Sequence, residues 1–284
     1  MKKTFHIIGA GRVGQTFATV LPKNGRWQLA NVVSRSSTVA MADCISKAIV
    51  PRISYLPEAD TVFICTPDNI IEETAAAVAC LPWLNTGTLV LHMSGAKTVA
   101  VLDAAARSGA MTGSLHPVFA FADIEKSVAE LAGNLCALEA GSEAAMTVLH
   151  ELADAAGLRA FEIPSEHKAR YHAALSAASN FSVTLAAFAQ DLLHPLHLPE
   201  QLSRELVCNL MQQSVNNLAR LTPLQALTGP IVRGDDSTVA AHLACMNVQE
   251  QKNYRLWAQA TLELARARLS EESARQMENL LERL

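Results

Sequence analysis

Hydrophobic and polar positions follow two different patterns along this chain. In the first half, short apolar runs rich in β-branched residues alternate with stretches whose apolar positions have helical spacing. Such alternation is typical of a mainly parallel sheet whose faces are covered by helices. Strands are predicted at residues 4–8, 29–34, 61–65, 88–93, 111–115, 135–139 and 159–163, with helices such as 13–21 and 69–80 between them.

From about Pro164 onward, only long helical patterns remain. Residues 166–193 predict one long helix, and Pro199 suits the first turn of the next, which reaches about residue 218, because its missing N–H needs no partner there. Another helix is predicted from 238 to 246 and on toward 268, and a last one begins at Ser270. The predicted fold class is α/β: a doubly wound, mainly parallel sheet in residues 1–164, followed by an all-helical domain in residues 165–284.

The composition narrows the class of protein. With 284 residues, half of them apolar, the chain is long enough for two globular domains. A formal net charge of −4, without a basic stripe, argues against a nucleic-acid partner. The six cysteines form no CxxC pair and the nine histidines no HExxH spacing, so reduced core cysteines and no metal are predicted. No apolar run is long enough to span a membrane, and a cytoplasmic location is predicted.

A glycine-rich segment joins the first predicted strand to the first predicted helix. The segment is Gly9-Ala10-Gly11-Arg12-Val13-Gly14. Gly9 permits a tight turn, Gly11 lets the backbone approach a pyrophosphate, and Gly14 lets the helix pack closely on the strand. The free N–H groups and the dipole of the helix N-terminus then meet the phosphate charge. A GxGxxG motif in this strand–turn–helix setting predicts a Rossmann-type dinucleotide-binding domain in which all six residues border the cofactor.

The end of the second predicted strand indicates which dinucleotide is bound. Sites that prefer NAD place an acidic residue there to hold the ribose hydroxyls. Here the segment reads Ser34-Arg35-Ser36, and Arg35 can pair with a 2′-phosphate that an acid would repel. NADP is therefore the predicted cofactor. The alternative is that Arg35 is a solvated loop residue.

Two further loops are predicted to border the cofactor, because ligands of open α/β sheets lie outside the carboxyl ends of the strands. One contains Thr66, Pro67 and Asp68, and the other contains Ser94 and Gly95. The second loop is expected nearer the nicotinamide. Asp68 could instead cap the helix that follows it.

Three segments give the chain a resemblance to a known family: residues 94–96 (SGA), 114–119 (SLHPVF) and 227–235 (LTGPIVRGD). The chain resembles a family of Rossmann-like NADP-binding proteins with a helical C-terminal domain of unknown function. That family is related to the grouping of 6-phosphogluconate dehydrogenase, β-hydroxyacid dehydrogenase, ketopantoate reductase and pyrroline-5-carboxylate reductase. The resemblance implies a cofactor at the interdomain cleft and a homodimer formed through the helical domain, and it supplies no substrate.

The first long helix of the second half carries a polar stripe. Lys168, His172 and Ser179 lie within about 40° of one another on a helix rich in alanine. Reduction of a carbonyl or an imine by hydride also needs a proton, which Lys168 or His172 could supply while Ser179 or Asn180 orients the substrate. The related dehydrogenases carry an Asn four residues after the lysine, where this chain has His172. The alternative places Lys168 on an exposed first turn and makes His172 a hydrogen-bonded core residue.

Two more residues are candidates for the same site. His116 follows a strand end and is another candidate proton donor, although it could instead brace the turn at Pro117. Arg233 lies in an unusual polar loop at 228–235 and could clamp a substrate carboxylate or phosphate. Alternatively, Arg233 pairs with Asp235 and stabilises that loop.

These features together predict an NADP-dependent oxidoreductase that transfers a hydride to a small carbonyl or imine substrate. The alternative is a non-catalytic NADP(H)-binding sensor or regulatory protein, which His172 keeps open because an Asn is expected there. A deazaflavin–NADP oxidoreductase is a third alternative that rests only on the likeness of the Rossmann half.

Overall fold

The computed structural model describes residues 2–34 and 43–282. Within these residues an eight-stranded sheet has the order β3-β2-β1-β4-β5-β6-β7-β8. The strands are β1 (Lys3–Ile8), β2 (Trp27–Val33), β3 (Ile49–Val50), β4 (Thr61–Ile64), β5 (Leu89–His92), β6 (Met111–Pro117), β7 (Leu135–Ala140) and β8 (Arg159–Glu162). All seven predicted strands are present, and β3 is an additional strand of two residues.

Helices follow most strands and make up the second half of the described chain. They are α1 (Arg12–Val20), α2 (Asp43–Ser46), α3 (Ile71–Ala79), α4 (Asp103–Arg107), α5 (Ile124–Glu130), α6 (Glu143–Ala155), α7 (Lys168–Asp191), α8 (Glu200–Leu218), α9 (Pro223–Ala226), α10 (Pro230–Arg233), α11 (Asp236–Ala244), α12 (Val248–Ala265) and α13 (Glu271–Glu282). The predicted α/β fold class, with a helical second half, is confirmed.

Two predictions about the helical half are wrong in detail. The helix expected from 238 toward 268 is two helices, α11 and α12, because Asn247 starts α12 with a capping box in which Asn247 and Glu250 bond each other's backbone N–H. The segment 228–235, expected to be a loop, contains the short helix α10. Gly229 and Gly234 flank it with φ angles of 106° and 70°, a region that favours glycine.

The sheet is parallel except for one pair of strands. Strands β6 and β7 run antiparallel, with Ser114 opposite Glu139, and every other neighbouring pair is parallel. The carboxyl ends of β1, β4, β5 and β6 therefore meet at one edge of the sheet. That edge is where open α/β folds bind their ligands.

The central strands are buried on both faces, which explains their nearly continuous apolar runs. Phe5, Ile7 and Phe63 pack into one hydrophobic cluster, whereas Val62 and Ile64 pack into another. Because successive side chains of a strand point to opposite faces, the two clusters lie on the two sides of the sheet.

The chain divides into two compact units, Met1–Ser179 and Asn180–Leu284. The division falls inside α7, so the first half of that helix belongs to the unit that contains the sheet, whereas the predicted boundary at 164/165 lies just after β8. The second unit has its own core around Val239, Leu243 and Met277. Among the described residues, no helix is long and apolar enough to cross a membrane.

Candidate functional site

The glycine segment between β1 and α1 is shaped by close backbone packing. Gly9 has a φ of 105°, and a Cβ on it would lie 2.7 Å from the carbonyl oxygen of Cys65. A Cβ on Gly14 would lie 2.1 Å from the carbonyl oxygen of Gly9. Both positions therefore require glycine for the turn itself, whether or not a ligand is bound.

Gly11 is different, because the turn does not need it. Its φ of −72° is open to any residue, and a Cβ there would meet no described atom within 4 Å. Gly11 lines a cavity of about 550 Å³. The bare backbone at Gly11 thus faces open space at the N-terminus of α1, where a phosphate would be bound.

The same cavity lies at the carboxyl ends of strands β1, β2 and β4. Its walls come from the first glycine turn, the ends of β2 and β4, and α3: Ile8, Gly9, Ala10, Gly11, Val33, Ser34, Ile53, Cys65, Thr66, Pro67, Ile70, Glu73, Thr74 and Ala77. Thr66 Oγ1 is buried there and has no hydrogen-bond partner among the described residues. An orphaned hydroxyl in this position fits a polar ligand, because buried polar groups are otherwise paired.

The structure describes some, but not all, of the residues that are predicted to bind the nucleotide. The segment from Gly9 to Gly14 forms the turn and the first residues of α1, and Gln15, which the sequence reasoning missed, braces it with a 2.9 Å bond from its amide to the carbonyl of Ala10. Ser34 lines the cavity. Arg35 and Ser36, on which the choice of NADP rests, lie outside the described residues.

A row of buried polar side chains crosses three strands beside this cavity. His92 on β5 is the register partner of Ser114 on β6, which in turn is the partner of Glu139 on β7. Directly opposite residues point to the same face of a sheet, so the three side chains lie side by side. All three are buried.

Lys168, at the start of α7, reaches into this row. Its side chain is 1% exposed, and its Nζ lies 2.9 Å from Glu139 Oε2. Nζ also donates to Ser114 Oγ at 2.7 Å and to the carbonyl oxygen of Ser94 at 3.3 Å. The alternative that places Lys168 on an exposed turn is therefore wrong.

Glu139 is the buried counter-charge of Lys168. Its Oε1 accepts hydrogen bonds from Ser165 Oγ at 2.6 Å and from the Val99 N–H at 3.0 Å. Burial alone would raise the pKa of Glu139, but these hydrogen bonds and the Lys168 charge outweigh it and lower the pKa. Burial is also the largest influence on Lys168 and lowers its pKa, against the attraction of Glu139.

Asp68 connects the row to the dinucleotide cavity. Its Oδ2 accepts a 2.7 Å hydrogen bond from Ser94 Oγ, which itself accepts from the N–H groups of Ala96 and Lys97. Asp68 makes no side-chain capping bond to the helix that follows, so the capping alternative is wrong. The loops after β4 and β5 are thus joined at the edge of the sheet.

His92 is held as a neutral imidazole. Its Nδ1 accepts from the Ser94 N–H at 3.1 Å, so Nε2 carries the proton and donates to the carbonyl of Thr98 at 3.2 Å. Burial and then the charge of Lys168 lower the pKa of His92 to about 4. Both ring nitrogens are used, which makes His92 a brace for the loop after β5.

His116 forms a hydrogen bond with Tyr171 on α7 through one of its ring nitrogens. Its Nδ1 lies 2.9 Å from the hydroxyl oxygen of Tyr171. Burial raises the pKa of Tyr171 to about 12, so the hydroxyl keeps its proton and can donate it to Nδ1. Burial, followed by the charges of His172 and Lys168, lowers the pKa of His116 to about 4. When Tyr171 donates this bond, the neutral imidazole carries its proton on Nε2.

His172 converges with His116 on Gly95. The two imidazole rings are 6.2 Å apart, and a Cβ on Gly95 would lie 2.7 Å from His116 Nε2 and 2.8 Å from His172 Cδ2. Only a glycine lets both rings approach the backbone after β5. Both histidines are half-buried, so each ring keeps some exposure to solvent.

The remaining predicted residues are not part of this cluster. Ser179 and Asn180 are exposed on α7, Asn180 falling in the second unit. Arg233 is exposed at the end of α10. Asp235 uses its carboxylate to cap α11, accepting from the Thr238 N–H at 3.0 Å.

The sequence reasoning missed His92, Ser114 and Glu139. A signal existed, because polar residues alternate with apolar ones at the ends of otherwise apolar strands, as in His92-Met93-Ser94 and Ser114-Leu115-His116. Alternation places such pairs on one face of a sheet. These features together define a Rossmann-type fold with a buried polar cluster at the carboxyl edge of its sheet.

Family comparisons agree with this description. Residues 2–117 match the family model of a Rossmann-like domain, and residues 134–261 match that of a domain of unknown function, DUF2520. The family resemblance predicted from the sequence is thereby confirmed. No curated protein matched the chain.

Solved structures share the fold over nearly the whole chain. A provisionally assigned NADP oxidoreductase from Bacteroides fragilis aligns with a TM-score of 0.78 at 20% identity, covering 92% of this chain and 98% of that one. A Thermotoga maritima protein aligns with a TM-score of 0.66 at 24% identity, covering 96% and 99%. Pyrroline carboxylate reductase from Plasmodium falciparum, solved with NADP bound, aligns with a TM-score of 0.62 at 13% identity, covering 97% and 98%.

Proposed function

We propose that this protein is an NADP-dependent oxidoreductase that transfers a hydride to a small carbonyl or imine substrate. The observation that carries the proposal is a direct link between the cavity and the loop after β5. Thr66 and Pro67 line the cavity, and the next residue, Asp68, accepts a hydrogen bond from Ser94 in that loop. Two imidazoles converge on that loop. A hydride donor bound in the cavity would therefore share one edge of the sheet with His116 and His172.

The histidines have distinct roles in this proposal. NADPH, when bound, supplies the hydride that adds to the carbon of the C=O or C=N bond. The neutral His116 donates a hydrogen bond from Nε2 to the substrate oxygen or nitrogen. This bond stabilises the negative charge that develops on that atom. His172 then gives the proton that completes the alcohol or amine. Substrate contacts at Ser179, Asn180 and Arg233 stay predictions from the sequence.

Similar structures support the choice of cofactor and chemistry. The Bacteroides fragilis protein carries the provisional assignment of an NADP oxidoreductase, and the Plasmodium falciparum protein is a reductase with NADP bound. Because identities are at most 20% in these two cases, they support a cofactor class and leave the substrate to experiment.

The first test compares NADPH with NADH by fluorescence titration of the purified protein. We expect NADPH to bind at least tenfold more tightly, a difference of about 1.4 kcal/mol. The Arg35→Ala variant should lose that preference, because the predicted partner of the 2′-phosphate is gone. Arg26→Ala, which removes an exposed arginine paired with Asp154, is the matched control and should keep the preference.

Two outcomes would count against the proposal. Equal affinity for the two nucleotides would refute the preference for NADP. Tight binding of NADPH without its oxidation by any α-keto acid, β-keto acid or cyclic imine would favour the non-catalytic sensor.

We also propose that the protein forms a homodimer through its helical half. The second half of α7 exposes Phe181 and Leu185, and α8 exposes Leu202, Leu206 and Leu210. Spacings of four residues put each set on one face of its helix. Apolar faces of this size are uncommon on monomers, and a second copy would cover them in a self-complementary way.

Sedimentation equilibrium tests the dimer. The wild-type protein should sediment at twice its chain mass, and the double variant Leu206→Glu, Leu210→Glu should sediment as a monomer because charges cannot be buried in an apolar interface. Leu256→Glu, at an exposed leucine of α12, is the control and should stay dimeric. A wild-type monomer at micromolar concentration would refute the proposal.

A further inference from the structure

We infer that Glu139 and Lys168 form a buried positioning pair: Lys168 anchors the turn of α7 that carries Tyr171 and His172 over Gly95, and does not touch the substrate. This inference rests on the proposed function for the meaning of the site. It differs from the sequence prediction, in which Lys168 was a proton donor. Glu139, which the sequence reasoning did not single out, becomes an essential part of the site.

The first argument is that Lys168 has no donor left for a substrate. An ammonium group has three N–H donors. The Lys168 Nζ makes an ion-pair contact with Glu139 Oε2 at 2.9 Å and donates hydrogen bonds to Ser114 Oγ at 2.7 Å and to the Ser94 carbonyl oxygen at 3.3 Å. With its side chain 1% exposed, Lys168 is enclosed by protein groups.

The second argument is that these partners join separate parts of the sheet. Ser94 follows β5, Ser114 lies in β6 and Glu139 lies in β7. Through Glu139 Oε1, the pair also holds the Val99 N–H and the hydroxyl of Ser165, just before α7. One ion pair therefore fixes the start of α7 to two strands, β6 and β7, and to the loop after β5.

The third argument is the position of the proposed proton-handling groups relative to Lys168. Residues 168, 171 and 172 have the i, i+3 and i+4 spacing that places side chains on one side of a helix. Tyr171 bonds His116, and His172 lies against Gly95. A shift of the first turn of α7 would move both contacts together. The charge of Lys168 also contributes to the lowered pKa of His116 and of His92.

The test compares Lys168→Met, Glu139→Gln and the double variant. Removing one partner leaves a buried charge without compensation, whereas removing both leaves neutral groups of similar size. Lys168→Met should therefore lower turnover at least a hundredfold. The turnover of the double variant should be at least tenfold higher than that of Lys168→Met, because the start of α7 can again pack without an uncompensated buried charge. Lys126→Met with Glu130→Gln makes the same changes in an exposed ion pair and should leave turnover unchanged.

A second readout does not depend on turnover or cofactor. Proton NMR titration of the imidazoles in the double variant should show the pKa of His116 above the wild-type value, because the Lys168 charge that helps to lower it is gone and Glu139 does not act on it. This titration remains readable if the protein reduces no substrate, so failure of the proposed function is distinct from failure of this inference. Should Lys168→Met fail to fold, the double variant still reports both turnover and titration.

Two results would overturn the inference. A folded double variant that is as inactive as Lys168→Met would make Lys168 a proton donor. A His116 titration identical to wild type in the double variant would show that the pair does not act on that imidazole.

Discussion

Replacing Gly11 with alanine weakens NADPH binding by about one to two orders of magnitude and leaves the stability of the unliganded protein unchanged. The added methyl group would occupy space where a pyrophosphate approaches the backbone, and such overpacking costs ~1–3 kcal/mol. Without a ligand the methyl group meets no described atom within 4 Å, and the φ of −72° suits alanine. Fluorescence titration measures the affinity, and thermal unfolding without nucleotide measures the stability.

Gly14→Ala is the contrasting variant. Its Cβ would lie 2.1 Å from the carbonyl oxygen of Gly9, a backbone atom that cannot rotate away. We expect a loss of ~3 kcal/mol or more of unfolding free energy in the absence of any nucleotide.

If Gly11→Ala binds NADPH like the wild type, the pyrophosphate does not lie on this turn and the nucleotide assignment fails.

The contrast between these glycines shows why the glycine turn was predictable. The GxGxxG motif is local in sequence, and its three glycines meet requirements of one turn and one helix start. The strands were predictable for a related reason, since Phe5, Ile7 and Phe63 belong to runs buried on both faces of the sheet. The two-residue strand β3 has no such run.

The helical half was less predictable because local signals competed. Apolar spacing continues across residues 245–247, so a single helix was expected where α11 ends and α12 begins. The capping box of Asn247 and Glu250 starts a new helix there, and its hydrogen bonds set the boundary between α11 and α12. At 228–235, two glycines suggested a loop, although four residues suffice for the helix turn between them.

The polar cluster depends on contacts that no local pattern contains. His92, Ser114 and Glu139 become neighbours only through the pairing of β5 with β6 and the antiparallel pairing of β6 with β7. The sequence placed Lys168 on a helix correctly, but its burial follows from reaching that row. Contacts between distant strands therefore turn a predicted proton donor into a buried ion-paired residue.

Replacing His116 with leucine should lower kcat by about two to three orders of magnitude, the usual contribution of a hydrogen-bond donor that stabilises charge developing on the substrate. The leucine fills similar space but cannot donate to the substrate oxygen or nitrogen. His116→Gln retains an amide N–H donor and should keep part of the activity. NADPH affinity should be unchanged in both variants, because His116 is not part of the dinucleotide cavity.

Tyr171→Phe and the pH profile separate a neutral donor from a charged acid. Without the Tyr171 hydroxyl, the proton of His116 is free to sit on either nitrogen, so kcat should fall about tenfold, less than in His116→Leu. Since the pKa of His116 is lowered to about 4, the active neutral ring predominates above that pH. As pH falls through 4, Nδ1 gains a proton and no longer accepts from the Tyr171 hydroxyl, whereas Nε2–H remains a donor, so the contribution of His116 to kcat should be retained from pH 4 to pH 8. A loss of this contribution as pH rises from 6 to 8 would instead show that His116 acts as a charged acid.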